Sequence, residues 1–140
     1  NDIGVRHIMR TNVKCLGAAA DLDEVLHFIE HSRENDFTVV DERGDYIGLI
    51  RYSDLREVIY DPAIRELITA ADMASANTPV ALLDDPLELL LKRVQQTDHG
   101  RLPVLETDRS RRVVGVVEQR DLLRALHHVN KVGERGRSGG

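Results

Sequence analysis

The chain repeats itself. Leu22, Val25, Leu26 and Ile29 recur as Leu87, Leu90, Leu91 and Val94, each 65 positions on (87 − 22). The spacing i, i+3, i+4, i+7 puts each set on one face of an amphipathic helix. Tyr46-Ile47-Gly48-Leu49-Ile50 recurs as Val113-Val114-Gly115-Val116-Val117, now 67 positions on (115 − 48). Asp54-Leu55 with Val58-Ile59 recurs at the same displacement as Asp121-Leu122 with Ala125-Leu126. The step from 65 to 67 places two extra residues in a turn, Asp41–Asp45 in the first copy and Glu106–Arg112 in the second.

Each copy reads strand, helix, strand, turn, strand, helix. A first strand is expected over Val13–Leu16. The strands before the turns, Phe37-Thr38-Val39-Val40 and Leu102-Pro103-Val104-Leu105, are short and apolar, as suits a sheet covered by helices. In the second copy Asp85 as N-cap, Pro86 as first helical residue and Glu88 three beyond the cap predict a strong helix start. Ala20 stands at the matching position of the first copy and predicts a weaker one. A single copy of about 60 residues would leave an apolar sheet face uncovered, and pairing the copies buries it. The division expected is a first repeat over 1–60, a linker over 61–67, a second repeat over 68–130 and a flexible tail over 131–140.

Composition narrows the function classes. With 41% hydrophobic and 31% charged residues the chain has material for a core, but only 4% are aromatic and Trp is absent, so base-stacking platforms are not expected. Residues 1–60 hold 7 Lys/Arg against 12 Asp/Glu and residues 61–140 hold 12 against 12, so neither half is basic and nucleic acid is not expected as a partner. One cysteine, Cys15, excludes an internal disulfide and a thiolate cluster, and is expected to pack in the first strand. No apolar run approaches the roughly 18–20 residues that span a bilayer. The chain opens at Asn1 without a Met and is read as part of a longer protein.

Val39-Val40-Asp41, Gly48-Leu49-Ile50 and Asp54-Leu55, with Leu102-Pro103-Val104, Gly115-Val116-Val117 and Asp121-Leu122, resemble a tandem pair of CBS domains, the Bateman module, from about Val5 to Leu126. The resemblance implies an α/β (α+β) module of two small three-stranded sheets, each with two helices, related by a pseudo-twofold axis. It also implies a regulatory, non-catalytic role, two clefts in which adenosine-containing ligands (ATP, ADP or AMP) bind, and a homodimer. Asp54–Pro62 with Leu67-Ile68 and Ala70-Ala71-Asp72-Met73 is similar to the connection in CBS pairs at the cytoplasmic C-terminus of prokaryotic CLC-type chloride channels and transporters. On that resemblance a membrane transport domain is expected N-terminal to the module, and the module itself is cytoplasmic.

Asp54 and Asp121, one per copy, start helices, and the family uses this position for the ribose hydroxyls, which a carboxylate accepts as charge-assisted hydrogen bonds. Each Asp would equally serve as a helix cap. The family pattern carries Ser or Thr three residues earlier, where this chain has Arg51 and Glu118. Arg51 offers a permanent charge to phosphate. Glu118 repels phosphate unless Arg101, Arg120 or Arg124 offsets it. If Arg51 and Glu118 instead paired with each other, the module would be a ligand-free dimerisation scaffold. Gly48 and Gly115 lie inside strands, where glycine marks a close approach by a ligand or by a neighbouring group. Val13, Thr38, Thr78, Pro79, Val80 and Pro103 complete the expected ligand-binding set, each also suited to plain packing at a strand edge.

His27-Phe28-Ile29-Glu30-His31 matches the H-x-x-E-H pattern of one metallopeptidase group. The apolar stripe of that helix turns His27 and His31 to solvent, away from any expected cleft, so an incidental surface ion is a better reading than a peptidase centre. No Ser-His-Asp or Cys-His arrangement suggests itself, and no metal is assigned.

Overall fold

The computed structural model describes residues 3–138, with side chains to residue 129. The two copies emerge as two three-stranded sheets, ordered β1-β2-β3 and β4-β5-β6. The first comprises β1 (Leu16–Gly17), β2 (Asp36–Val40) and β3 (Tyr46–Arg51). The second comprises β4 (Ala81–Leu82), β5 (Arg101–Leu105) and β6 (Val113–Glu118). In the first sheet β1 runs parallel to β2, with Leu16 opposite Val39, and β3 is antiparallel to β2, with Phe37 opposite Ile50 and Thr38 opposite Leu49. In the second, β4 is parallel to β5 with Ala81 opposite Val104, the counterpart of the β1–β2 pairing. The fold is the expected α/β arrangement of two small sheets with helices.

Each sheet is followed and crossed by helices of the expected stripe. Helix α2 (Leu22–Glu30) buries Leu22 and Val25, and α6 (Leu87–Val94) buries Leu87, Leu90 and Val94. Helix α3 (Leu55–Ile59) and the first turns of α7 (Gln119–Ser138) close the copies with Leu55 and with Leu122 and Ala125. Two strand–strand gaps differ in length as the displacement predicts: Val40 to Tyr46 in one copy, Leu105 to Val113 in the other. In the shorter turn Asp41 Oδ1 accepts from the backbone N–H of Arg43 and Asp45 at 2.9 and 3.0 Å, and Gly44 takes φ +83°, a conformation that favours glycine.

Four local expectations are corrected. The first strand lies at Leu16–Gly17 and leaves Val13 and Cys15 outside it. Ala20 is not the cap of α2; Asp21 is, its side chain accepting from Glu24 N at 2.9 Å, so this helix start is as well made as a carboxylate allows. Asp85 does not cap α6, because its carboxylate is drawn to Leu82 N (2.8 Å) and to the Arg93 guanidinium (2.6 Å), and Pro86 takes the cap position with no side-chain bond. The backbone of 131–138, expected as a flexible tail, continues α7 as helix to Ser138; Gly133 and Gly136 within it lower helix propensity without terminating the hydrogen-bonding pattern. Gly139 and Gly140, also expected in that tail, lie outside the described residues.

Two short helices were not anticipated from the apolar pattern: α1 (Val5–Ile8) and α5 (Ala70–Met73), with α4 (Pro62–Arg65) between the repeats. Helices α1 and α5 are themselves 65 positions apart (70 − 5), so each repeat has a helical leader. The leaders are exchanged. Among the described residues, one compact unit combines the stretch up to Val13 with Pro79–Ser110 and the stretch from Val114 on, and the other combines Lys14–Thr78 with Arg111–Val113. Val5 is fully buried among Ala81, Leu90, Val104 and Leu122 of the second copy. Ala70 is fully buried among Leu16, Val25, Ile50 and Leu55 of the first, and its N–H donates to Ala20 O at 2.8 Å.

Candidate functional site

The exchanged leaders explain the two strand glycines. In the unit built on the first repeat, Ser75 pairs with Leu49: Leu49 N donates to Ser75 O at 3.0 Å and Ser75 N to Leu49 O at 2.9 Å. A Cβ on Gly48 would stand 2.6 Å from that Ser75 oxygen. In the unit built on the second repeat, Arg10 pairs with Val116 in the same way, and a Cβ on Gly115 would meet Arg10 O at 2.8 Å. The close approach at both positions is made by main chain.

The first-repeat unit brings Arg51 and Asp54 together. Arg51 ends β3, and a single 3-10 turn, Tyr52–Asp54, leads into α3. The Asp54 carboxylate makes no cap bond to α3; its Oδ2 accepts from both Arg51 N (3.2 Å) and Arg51 Nε (3.3 Å). The turn is held by the residue that also supplies the positive charge. The Asp54 side chain is 32% exposed. Thr38 lies buried in the middle of β2, and Thr78 shares a 2.5 Å hydrogen bond with the Tyr46 hydroxyl. Burial pushes the Tyr46 phenol above its usual value, an effect that Asp36 adds to and that the Thr78 bond and the Arg111 charge oppose. Arg111, in the longer second turn, stands over the Tyr46 ring at 5.9 Å from its centre. Thr38 is thus enclosed within the sheet, and Thr78, half-buried, is tied to Tyr46.

The second-repeat unit is built differently. Glu118 ends β6 and Asp121 lies in the first turn of α7, both side chains only 16% exposed. Glu118 faces Arg10 (3.4 Å), Arg120 (3.7 Å) and Arg101 (3.9 Å). Asp121 faces Arg10 (3.0 Å) and Arg124 (4.0 Å). Arg101 and Arg120 thus offset Glu118, while Arg124 serves Asp121. Arg10, which pattern reading passed over, joins the two carboxylates. The signal for it was its position in the leader, 65 before Ser75 (75 − 10), opposite the glycine strand. Pro79 and Val80 precede β4, and the Val80 carbonyl is taken by Arg93 Nη1 at 3.0 Å. Pro103 lies buried in β5, one residue ahead of the Ala81–Val104 pairing.

Two grooves accompany these residues. One of about 600 Å³ in the second-repeat unit is lined by Ile3, His7, Arg10, Asp121, Arg124 and His128. Another of about 840 Å³ in the first-repeat unit is lined by Cys15, Ala20, Asp23, Glu24, His27 and Phe28, so His27 does border a groove where none was expected. Burial raises the Cys15 thiol above its ordinary value, which lowers its reactivity at neutral pH. Among the described residues one group of His, Cys, Asp or Glu side chains stands close enough to hold a metal ion, His27, Glu30 and His31. Among those residues no helix is long and apolar enough to cross a membrane.

Solved structures similar to this chain share its fold. The cystathionine beta-synthase pair domain of a protein described as an Mg2+ transporter from Shewanella oneidensis aligns with a TM-score of 0.75 at 16% identity, over 93% of this chain and 73% of that one. A CBS domain pair/ACT domain protein from Thermotoga maritima aligns at 0.74 and 20% identity, over 91% of this chain and 98% of that one. A Methanocaldococcus jannaschii protein described as an archaeal homologue of g-AMPK aligns at 0.71 and 18% identity, over 88% of this chain and 47% of that one. No curated protein matches the sequence. The CBS domain model matches twice, at residues 5–61 and 70–128, and the two matches cover each repeat together with its leader. The chain belongs to the CBS domain family, as a tandem pair of the Bateman type.

Proposed function

We propose that this CBS pair is a regulatory, non-catalytic module that takes an adenine nucleotide on its first-repeat half, with Asp54 accepting from ribose hydroxyls and Arg51 meeting phosphate. The observation that carries this reading is the unequal state of the two aspartates. Asp121 and its neighbour Glu118 are shielded and ringed by Arg10, Arg101, Arg120 and Arg124, whereas Asp54 is twice as exposed and is held through one oxygen. A carboxylate with an oxygen outside those bonds can take a hydroxyl, and a guanidinium beside it supplies fork-shaped donors for phosphate. The ligand would then act on its parent only through its unequal affinity for two arrangements of the pair, a coupling of typically about 1–3 kcal/mol.

The parent is proposed to be a membrane transport protein, of the CLC chloride channel or transporter type, with this module on the cytoplasmic side. The linker residues Asp54–Pro62 and Ala70–Met73 support that reading, as does the likeness to a CBS pair from a protein described as a transporter. A reading frame that continues upstream of Asn1 into several apolar spans of about 20 residues each supports it, and a soluble catalytic domain there overturns it.

Calorimetric titration with ATP, ADP, AMP and adenosine tests the nucleotide site. Asp54→Ala is expected to lose at least about tenfold in affinity, roughly 1.4 kcal/mol, and Asp121→Ala to stay within a few-fold of the parent chain. Phosphorylated ligands should bind more tightly than adenosine, and Arg51→Ala should erase that preference. Absence of heat with all four at about 1 mM sinks the nucleotide reading. It would favour the second one, a ligand-free dimerisation scaffold, which the existing arginine partners of both aspartates support.

A further inference from the structure

The outer face of α2 carries a group that the repeat and the proposed nucleotide site leave unused. With Leu22 and Val25 turned into the core, His27, Glu30 and His31 come out together on the exposed side of the last helical turn. Their ligand atoms all lie within 4.8 Å of one another, and the centres of the two imidazole rings are 4.4 Å apart. His31 occupies the C-cap position, and its Nδ1 lies 2.9 Å from the His27 carbonyl oxygen. A carbonyl oxygen only accepts, so Nδ1 must carry the proton. In the neutral ring that leaves the Nε2 lone pair available. A ring nitrogen tied to a backbone carbonyl, with the other left for the metal, is the support that metal-binding histidines use.

We infer that His27, Glu30 and His31 form a binding site for a divalent transition-metal ion of the Zn2+ type. Two imidazoles one helical turn apart and one carboxylate suit zinc by donor type and spacing. An oxygen-only ion such as Mg2+ is disfavoured by the two nitrogen donors. Three protein ligands leave at least one coordination position for water or a further ligand, and His27 is shared with the 840 Å³ groove that also holds Asp23 and Glu24. An ion bridging 27, 30 and 31 ties the last turn of α2 to its C-cap, so it stabilises the first-repeat unit by binding the folded chain only. The site is independent of the nucleotide reading, since it shares no residue with Arg51 or Asp54.

The test is titration of the untagged, metal-stripped chain with Zn2+, read by calorimetry and by the thermal midpoint. One equivalent is expected at about micromolar Kd, with a rise in midpoint. His27→Ala and His31→Ala should each weaken binding at least about tenfold and abolish the rise, Glu30→Gln should weaken it less, and Cys15→Ser and the His127→Ala/His128→Ala pair should leave it unchanged. Circular dichroism confirms that the variants fold, which surface positions on a helix permit. Zinc binding that survives the His27→Ala/His31→Ala double variant, or none below about 1 mM, overturns the assignment.

Discussion

Gly48 and Gly115 show how much a single hydrogen atom in place of a methyl group decides in this molecule. Neither has a positive φ, so backbone freedom is not their purpose. Their purpose is room: a Cβ would be driven to 2.6 Å from Ser75 O and 2.8 Å from Arg10 O, both main-chain atoms that cannot swing aside. Gly48→Ala and Gly115→Ala should therefore each destabilise by about 1–3 kcal/mol, the usual range for overpacking, and urea unfolding will read it. Gly17→Ala is the control. Nothing lies within 4 Å of its Cβ position and its φ is ordinary, so it should be neutral or slightly stabilising through the unfolded chain. Equal losses at Gly17 and Gly48 would overturn the steric account. Glycine at a strand position was readable from the sequence as a mark of close approach, but whether ligand or main chain approached was not, because the approaching residues stand 27 and 105 positions away (75 − 48 and 115 − 10).

At the scale of elements, the repeated apolar stripe was enough to place both sheet-covering helices, while their ends were set by competition for carboxylates. Asp21 is unopposed and caps α2 through Glu24 N. Asp85, in the same role by pattern, has the Arg93 guanidinium and Leu82 N within reach, and a charge-assisted bond prevails over a neutral cap. Asp21→Ala should cost about 1 kcal/mol and fray α2, whereas Ala20→Ser should add nothing, because residue 20 is buried and not at the cap. Thermal unfolding compares the two, and stabilisation by Ala20→Ser would restore the cap to residue 20. The short leaders escaped pattern reading for a related reason. Four residues make one turn, too few to show a helical period, and what stabilises α1 and α5 is burial of Val5 and Ala70 rather than propensity.

For the molecule as a whole, the consequence of exchanged leaders is that neighbours in sequence are not neighbours in stability. Val5→Ala removes a fully buried side chain from the core that contains Leu90, Val104 and Leu122, so it should destabilise by about 2 kcal/mol. Hydrogen exchange should then accelerate in β5 and β6 and stay unchanged in β2 and β3, although β2 lies nearer along the chain. Faster exchange in β2 alone would contradict the exchange of leaders. The division of the chain into two copies, the turn that grew by two residues, the helix faces and the family were all written in local order, because periodicity and repeated spacing are properties of consecutive residues. The sequence alone also singled out Asp54, Asp121, Arg51 and Glu118. Only the tertiary structure decided that Arg51 folds back on Asp54, that Arg10 joins Glu118 to Asp121, and that each leader packs on the other copy. Those outcomes depend on which groups meet after more than sixty or a hundred intervening residues, or on which of several nearby donors wins a carboxylate, and a charge seen in sequence carries no record of the partner it will find in space.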